Sequence, residues 1–257
     1  MPRNAIGDLI DRRQRENDAT SDRFVEMELQ VVREDAQRNF TNDLLFSTGG
    51  RWDRREHRYL DTTKARIVGA HAGQVEPLRW FDRWVGDKLA GRAVVPDEQT
   101  YSVMLAGGQR SGKTHLGVLM GVGYAVTFPN SIVWIVSPAD KDFEEVDDAT
   151  RNLMPRSWYS HLGAPWYRYS LANGSKIVMR SGHVPDKLKK GRADFIIMNE
   201  AQQMKERSFA ICRGRIATSA GVVVVCANPP DDPIGQWVGD FAVDAQHGLR
   251  QAKYFHL

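Results

Sequence analysis

The chain is short of cysteine, of long apolar stretches and of any excess of one charge, and each shortage removes a class of protein. Its 257 residues include two cysteines, Cys212 and Cys226, which make no CxxC pair. That excludes a disulfide scaffold or a cysteine-ligated metal domain and leaves two buried free thiols as the expectation. No apolar run approaches the roughly 20 residues needed to cross a bilayer. The opening Met1-Pro2-Arg3-Asn4-Ala5-Ile6-Gly7-Asp8 lacks the apolar core of a secretory signal. These absences point to the cytoplasm of the host or producing cell, with no membrane partner. Lys and Arg number 35 against 32 Asp and Glu, a net of +3, which permits a polyanionic partner without requiring one.

What is present is a globular composition, 42% hydrophobic and 26% charged, long enough for a sizeable core. Residues 1–20 are polar and read as a frayed helix or arm. Over 22–40, Phe24, Met27, Val31 and Val32 fall near one helical face, with Ser21 placed to cap it. Residues 47–58 are rich in Gly and Arg and are expected to be irregular. A second helix is predicted after Pro77, carrying Trp80, Trp84, Val85 and Leu89. From residue 101 short apolar runs alternate with longer mixed segments: Tyr101–Ala106, Ile132–Val136, Lys176–Met179, Phe195–Met198 and Val222–Cys226. Strands spaced by helical segments predict an α/β fold with a mostly parallel sheet covered on both faces.

The first of these runs enters Gly107-Gly108-Gln109-Arg110-Ser111-Gly112-Lys113-Thr114, a full match to G-x-x-x-x-G-K-[ST] between a strand and an apolar helix. Glycines let backbone N–H groups wrap phosphates. Lys113 would place a charge on the β- and γ-phosphates of ATP, and the Thr114 hydroxyl would ligate Mg²⁺. Gly107, Gly108, Gln109, Ser111, Gly112, Lys113 and Thr114 are therefore the candidate nucleotide-binding residues.

A P-loop ATPase also needs a carboxylate at the end of another strand, beside the γ-phosphate. Phe195-Ile196-Ile197-Met198-Asn199-Glu200 fits, with Asn199 where a metal-shell Asp is expected. Asn199 can accept hydrogen bonds from Mg²⁺-bound water but lacks the charge. Glu200 is in register to be the general base. On a third strand, the tip Cys226-Ala227-Asn228 before Pro229-Pro230 is suited to sense the γ-phosphate. The predicted class is thus a P-loop NTPase whose catalytic Glu stands on its own, additional strand, preceded by a helical N-terminal arm.

Leu171-Ala172-Asn173-Gly174-Ser175, Pro185-Asp186-Lys187-Leu188-Lys189-Lys190-Gly191 and Asp194–Ala201 together resemble the large terminase subunit of tailed bacteriophages. That family shows a Leu-x-Asn-Gly-Ser hairpin, a Pro-Asp-x-Leu-(Arg/Lys)-Gly segment and an apolar strand ending Asp-Glu-Ala. The likeness covers about residues 75–235. It implies ATP hydrolysis driving translocation of double-stranded DNA into a viral prohead by a homomeric ring, with portal and small terminase subunit as partners; the alternatives are a helicase-like or other DNA-dependent P-loop ATPase, and a nucleotide-binding structural module with weak hydrolysis, suggested by Asn199. It also implies a γ-phosphate-responsive role for Arg110, a coupling role for Cys226, Ala227 and Asn228, and an adenine site ahead of the loop. At the last, Arg79 or Trp80 could stack on the base, but the family's Gln is missing and Trp80 is as readily a core residue. The cations Lys187, Lys189, Lys190 and Arg192 admit three readings: a solvated loop, contact with DNA phosphates, or an arginine finger acting on a neighbouring subunit. For the finger, Arg192 is preferred to Lys190, because a planar guanidinium suits a spreading phosphoryl charge.

The expected organisation is a helical arm over 1–60, the ATPase domain over 61–245, and at 246–257 the start of a linker to a nuclease domain that the chain lacks. Only 29 residues follow Asn228 (257 − 228), too few for such a nuclease, so no nuclease activity is expected of this chain. The final Gln251–Leu257 reads like the entry to a further strand.

Overall fold

A computed structural model of the protein describes residues 51–53, 58–60, 72–91, 101–154, 156–248 and 252–257. The predicted arm and its 22–40 helix lie outside them. Strands β1 (Arg51–Asp53) and β2 (Arg58–Leu60) pair antiparallel, within the segment expected to be irregular and helical. Three-residue strands are too short to register as an alternation in sequence.

Helix α1 spans Ala72–Leu89 with Pro77 inside it, so it begins five residues ahead of the proline after which it is expected to start. Its buried residues Gln74, Leu78, Phe81, Trp84 and Val85 recur at helical spacing, whereas Leu89, also carried by the helix as expected, is exposed. There follow β3 (Tyr101–Ala106), α2 (Lys113–Thr127), β4 (Ile132–Ser137), α3 (Phe143–Leu153), β5 (Tyr159–Leu162), β6 (Arg168–Leu171), β7 (Lys176–Ser181), β8 (Phe195–Met198), α4 (Glu206–Ile216), β9 (Val222–Ala227), α5 (Gln236–Gln246) and β10 (Ala252–His256). Eight strands form one sheet in the order β10-β3-β9-β8-β4-β7-β6-β5. The first six are parallel; β6 and β5 add an antiparallel annex. The mostly parallel sheet is as predicted. The strand hinted at the end is β10, which pairs with β3 and so extends the sheet beyond the boundary expected at 245.

Alternation along each central strand feeds two cores, because successive side chains leave opposite faces. Val133, Ile135, Phe195, Ile197, Val222 and Val224 pack under α1, α2 and α3. Trp134, Val136, Ile196, Met198, Val223 and Val225 pack under α4 and α5. Burial on both faces explains why these strands read as unbroken apolar runs.

The β6–β7 hairpin fixes the far end of α2. Asn173 Nδ2 donates to the carbonyls of Ala125 and Val126 at 2.8 and 3.1 Å, and its Oδ1 accepts from Ser175 N at 3.0 Å. The turn needs Gly174, whose φ is +83° and whose hydrogen faces Asn130: a Cβ there would fall 2.2 Å from Oδ1. On the annex, Asp147 of α3 is buried and accepts from Tyr169 Oη at 2.6 Å, with His161 Nε2 at 2.9 Å and Arg151 Nη2 at 3.0 Å. This tie holds β5 and β6 to the helix after β4. Replacing Asn173 by Ala would orphan two buried carbonyls. We expect Asn173→Ala to cost about 1–3 kcal/mol in urea unfolding; an unchanged midpoint and slope would remove the cap from this account.

Candidate functional site

Strand β3 delivers its chain to the carboxyl edge of the sheet, where α2 starts after a tight loop. Arg110 (φ +62°) and Gly112 (φ +81°) are both left-handed, which folds the loop back over the strand end. Helix α2 has no side-chain cap and no acidic residue in its first turn, so its N-terminal N–H groups are left for an anion. Ser111 Oγ and the carbonyl of Leu257 would each lie 2.8 Å from a Cβ at Gly107, so glycine is required there by close approach. Leu257 N donates to Ala106 O at 2.8 Å, which seats the end of β10 beside the loop.

The buried ammonium of Lys113 donates to Gly107 O (3.1 Å), Gly108 O (2.7 Å), Ser111 Oγ (3.2 Å) and Asn228 Oδ1 (2.8 Å). Burial lowers its pKa, and Glu200 and Cys226 act in the opposite direction. Glu200 follows β8 in the left-handed conformation (φ +52°), which turns its carboxylate back toward the loop. Its Oε2 accepts from Asn228 Nδ2 (3.2 Å) and Gln202 Nε2 (2.6 Å), and Gln202 Oε1 accepts from Asn228 N at 3.2 Å. Asn228 thus bridges the lysine of one strand end and the carboxylate of another. The bridge exists because β9 lies between β3 and β8. Thr114 Oγ1 donates to Asn199 Oδ1 at 2.7 Å.

Sequence reasoning named most of these groups, and the fold gathers Lys113, Thr114, Ser111, Asn199, Glu200 and Asn228. Gln109 and Arg110 are exposed on the loop, as is Gly108. Ala227 is buried in the sheet's other core, and Cys226 Sγ lies 3.5 Å from Lys113 O. Gln202 was missed: a polar residue in a short 3₁₀ turn carries no motif, and only the turn over β9 brings it to Asn228. Two predicted residues make other contacts. Trp80 is half-buried against the core, its ring 6.3 Å from Trp84 and 6.2 Å from Phe255. Arg192 precedes β8, at the opposite edge of the sheet from its own phosphate loop. Its Nε and Nη2 contact buried Asp194 Oδ1 at 3.0 and 2.9 Å, and Asp194 Oδ2 accepts from Ile132 N.

Among the described residues no cluster of three or more His, Cys, Asp or Glu could hold a metal by itself. A hydroxyl that can ligate directly and an amide oxygen that can accept from a metal-bound water, both beside a phosphate loop, fit a Mg²⁺ that takes its remaining ligands from phosphate and water.

The order β3-β9-β8-β4, with a phosphate loop after the first strand and a carboxylate after the third, defines a P-loop NTPase with an additional strand between loop and carboxylate. Within that class the fold is that of the phage large terminases. The chain is similar to the large terminase of bacteriophage HK97 at 14% identity and a TM-score of 0.59, covering 84% of this chain and 43% of that one. It is also similar to the large terminase of a thermophilic bacteriophage, solved in complex with ADP, at 15% identity and a TM-score of 0.53, covering 72% and 44%. The chain therefore spans less than half the length of either. No protein-family profile and no curated protein matches it. No helix among the described residues is long and apolar enough to cross a membrane.

Burial pushes both thiols, Cys212 and Cys226, up to about 12. At pH 8 the thiolate fraction is then on the order of one in ten thousand, in addition to the steric block. Iodoacetamide at pH 8 is expected to leave the folded protein unlabelled and to add two adducts in denaturant, read by intact mass. A rapid adduct on native protein would show that the core around Cys212 or Cys226 opens.

Proposed function

We propose that this chain hydrolyses ATP and that hydrolysis drives double-stranded DNA into a viral prohead, as one subunit of a homomeric ring. The observation that carries the hydrolytic part is the Asn228 bridge between Lys113 and Glu200. Its oxygen faces the group suited to phosphate and its nitrogen the group suited to water, so one amide senses both. The likeness of fold to large terminases supports the packaging part, with portal and small terminase subunit as partners.

In this reading the loop N–H groups and Lys113 bind the β- and γ-phosphates. The lysine exchanges its loop carbonyls and Asn228 for phosphate oxygens. Glu200 orients a water and accepts its proton. Thr114 would hold Mg²⁺ through its hydroxyl and Asn199 through a metal-bound water; the ion supplies charge neutralisation on the phosphate oxygens. Arg110, exposed on the loop, adds charge in cis. Arg192 is too far from its own loop to act there, so its contribution would be to a neighbour's site. Release of phosphate frees Asn228 to bridge again, which moves the β9 tip and the elements behind it. The packing of Trp80 favours its core reading over base stacking.

Calorimetry with a slowly hydrolysed ATP analogue separates binding from turnover. Lys113→Ala should weaken binding about 10- to 100-fold. Glu200→Gln should bind as wild type and lose about 100-fold or more in kcat. Equal loss of binding in both variants would sink the assignment. Steady-state turnover should rise on adding duplex DNA; a rate indifferent to DNA argues against a DNA motor.

Asn199 leaves the metal shell one negative charge short. Asn199→Asp should therefore lower the Mg²⁺ concentration for half-maximal ATPase severalfold, with the two proteins converging at saturating Mg²⁺. Coincident titration curves would put Asn199 outside the shell.

A further inference from the structure

The sheet face covered by α4 carries a charge that, Arg192 aside, the nucleotide site does not use. Residues 180–192 and 205–216 hold nine Lys and Arg against two carboxylates, Asp186 and Glu206, an excess of seven in a chain whose net charge is +3. The rest of the chain is therefore at −4. The two segments lie side by side. Ser208 Oγ donates to Gly182 O at 3.0 Å, and Asp186 Oδ1 joins them by pairing with Lys189 and Arg207, each at 2.8 Å. On α4, Arg207 and Arg215 are eight residues apart and so follow one flank. Lys187, Lys190 and Arg207 are exposed.

Arg180 marks the strip as more than a solvated loop. Its guanidinium lies 3.9 Å over the buried ring of Trp134. Burial lowers its pKa, yet no carboxylate among the described residues pairs with it, and its Nε is buried with no hydrogen-bond partner. The backbone of Gly191 (φ +99°) crosses it so closely that a Cβ would fall 3.0 Å from Nη2. A guanidinium fixed by stacking and left without an anion is suited to a phosphate.

The strip is long rather than concave: α4 alone, at 11 residues, measures about 16 Å. That is the length of roughly five base pairs. Single strands are held by aromatic platforms, and none is available, since Val184 is the one exposed large apolar residue of the two segments among those described. We infer that this face is where the backbone of double-stranded DNA lies, with Arg180 as a fixed phosphate contact. The inference rests on the DNA reading above and adds the surface.

Fluorescence anisotropy with a labelled 30-base-pair duplex, titrated between 50 and 200 mM KCl, tests it. Lys187→Glu combined with Arg207→Glu should weaken binding at least about tenfold and flatten the salt slope by about two. Lys187→Arg with Arg207→Lys should bind as wild type, as should Lys253→Glu on β10. Arg180→Gln should flatten the slope by about one, with thermal unfolding confirming that each variant folds. Wild-type affinity and slope in the double reversal would overturn the surface while leaving the DNA reading intact. A wild type that binds no duplex even at 50 mM would overturn that reading itself. Tighter binding of the matching single strand, or a reversal that changes only self-association in sedimentation, would assign the strip to another partner.

Discussion

The buried ammonium of Lys113 is the constraint around which the site is organised. An unpaired charge taken out of water costs several kcal/mol, so the loop must supply acceptors wherever the lysine stands. Two loop carbonyls, a serine hydroxyl and the Asn228 amide do so. These four acceptors share the three N–H groups of the ammonium, and phosphate oxygens can take their places. The same charge explains the left-handed residues at Arg110 and Gly112, because only a loop folded back over its strand end turns its carbonyls inward.

Holding that loop still is the work of α2. Its glycines bring it close to the sheet: a Cβ at Gly117 would lie 2.8 Å from Cys226 Sγ and 3.0 Å from Ile197. The helix thereby touches the strands that carry the other two parts of the site. At its far end Asn173 and Ser175 take up the final carbonyls, and Trp84, Tyr124 and Phe195 stack α1, α2 and β8 into one aromatic cluster. Loop, carboxylate and the Asn228 amide are therefore neighbours in a packed interior, where displacing one shifts the others.

The two faces of the sheet are chemically unlike. The face under α1, α2 and α3 is aromatic and orders the nucleotide site. The face under α4 and α5 is rimmed with cations, and β8 contributes to both through alternate residues, Ile197 on one side and Met198 on the other. One short strand thus joins the Glu200 turn to the surface on which a polyanion would rest.

Much of this was legible in sequence because the chemistry is local. The phosphate loop is eight consecutive residues, and the central strands are apolar runs whose ends the fold reproduces closely, with β3 and β8 bounded as read. The Asn173–Ser175 hairpin also needed only neighbours. What escaped was whatever depends on distant segments meeting. The annex strands β5 and β6 show only brief alternation, and Gln202 gains its role from β9. Trp80 reads equally well as base-stacking or core in sequence, and only the fold brings Phe255, far along the chain, against it. Arg192 looks like one more cation of a charged run until Asp194 is seen to hold it at the far edge of the sheet. Composition and motif spacing determined the class of fold and the residue types of the site, since phosphate loops and buried strands impose local rules. Tertiary structure alone decided which strand stands between loop and carboxylate, and so placed Asn228 between Lys113 and Glu200, because strand order is set by packing and not by sequence order.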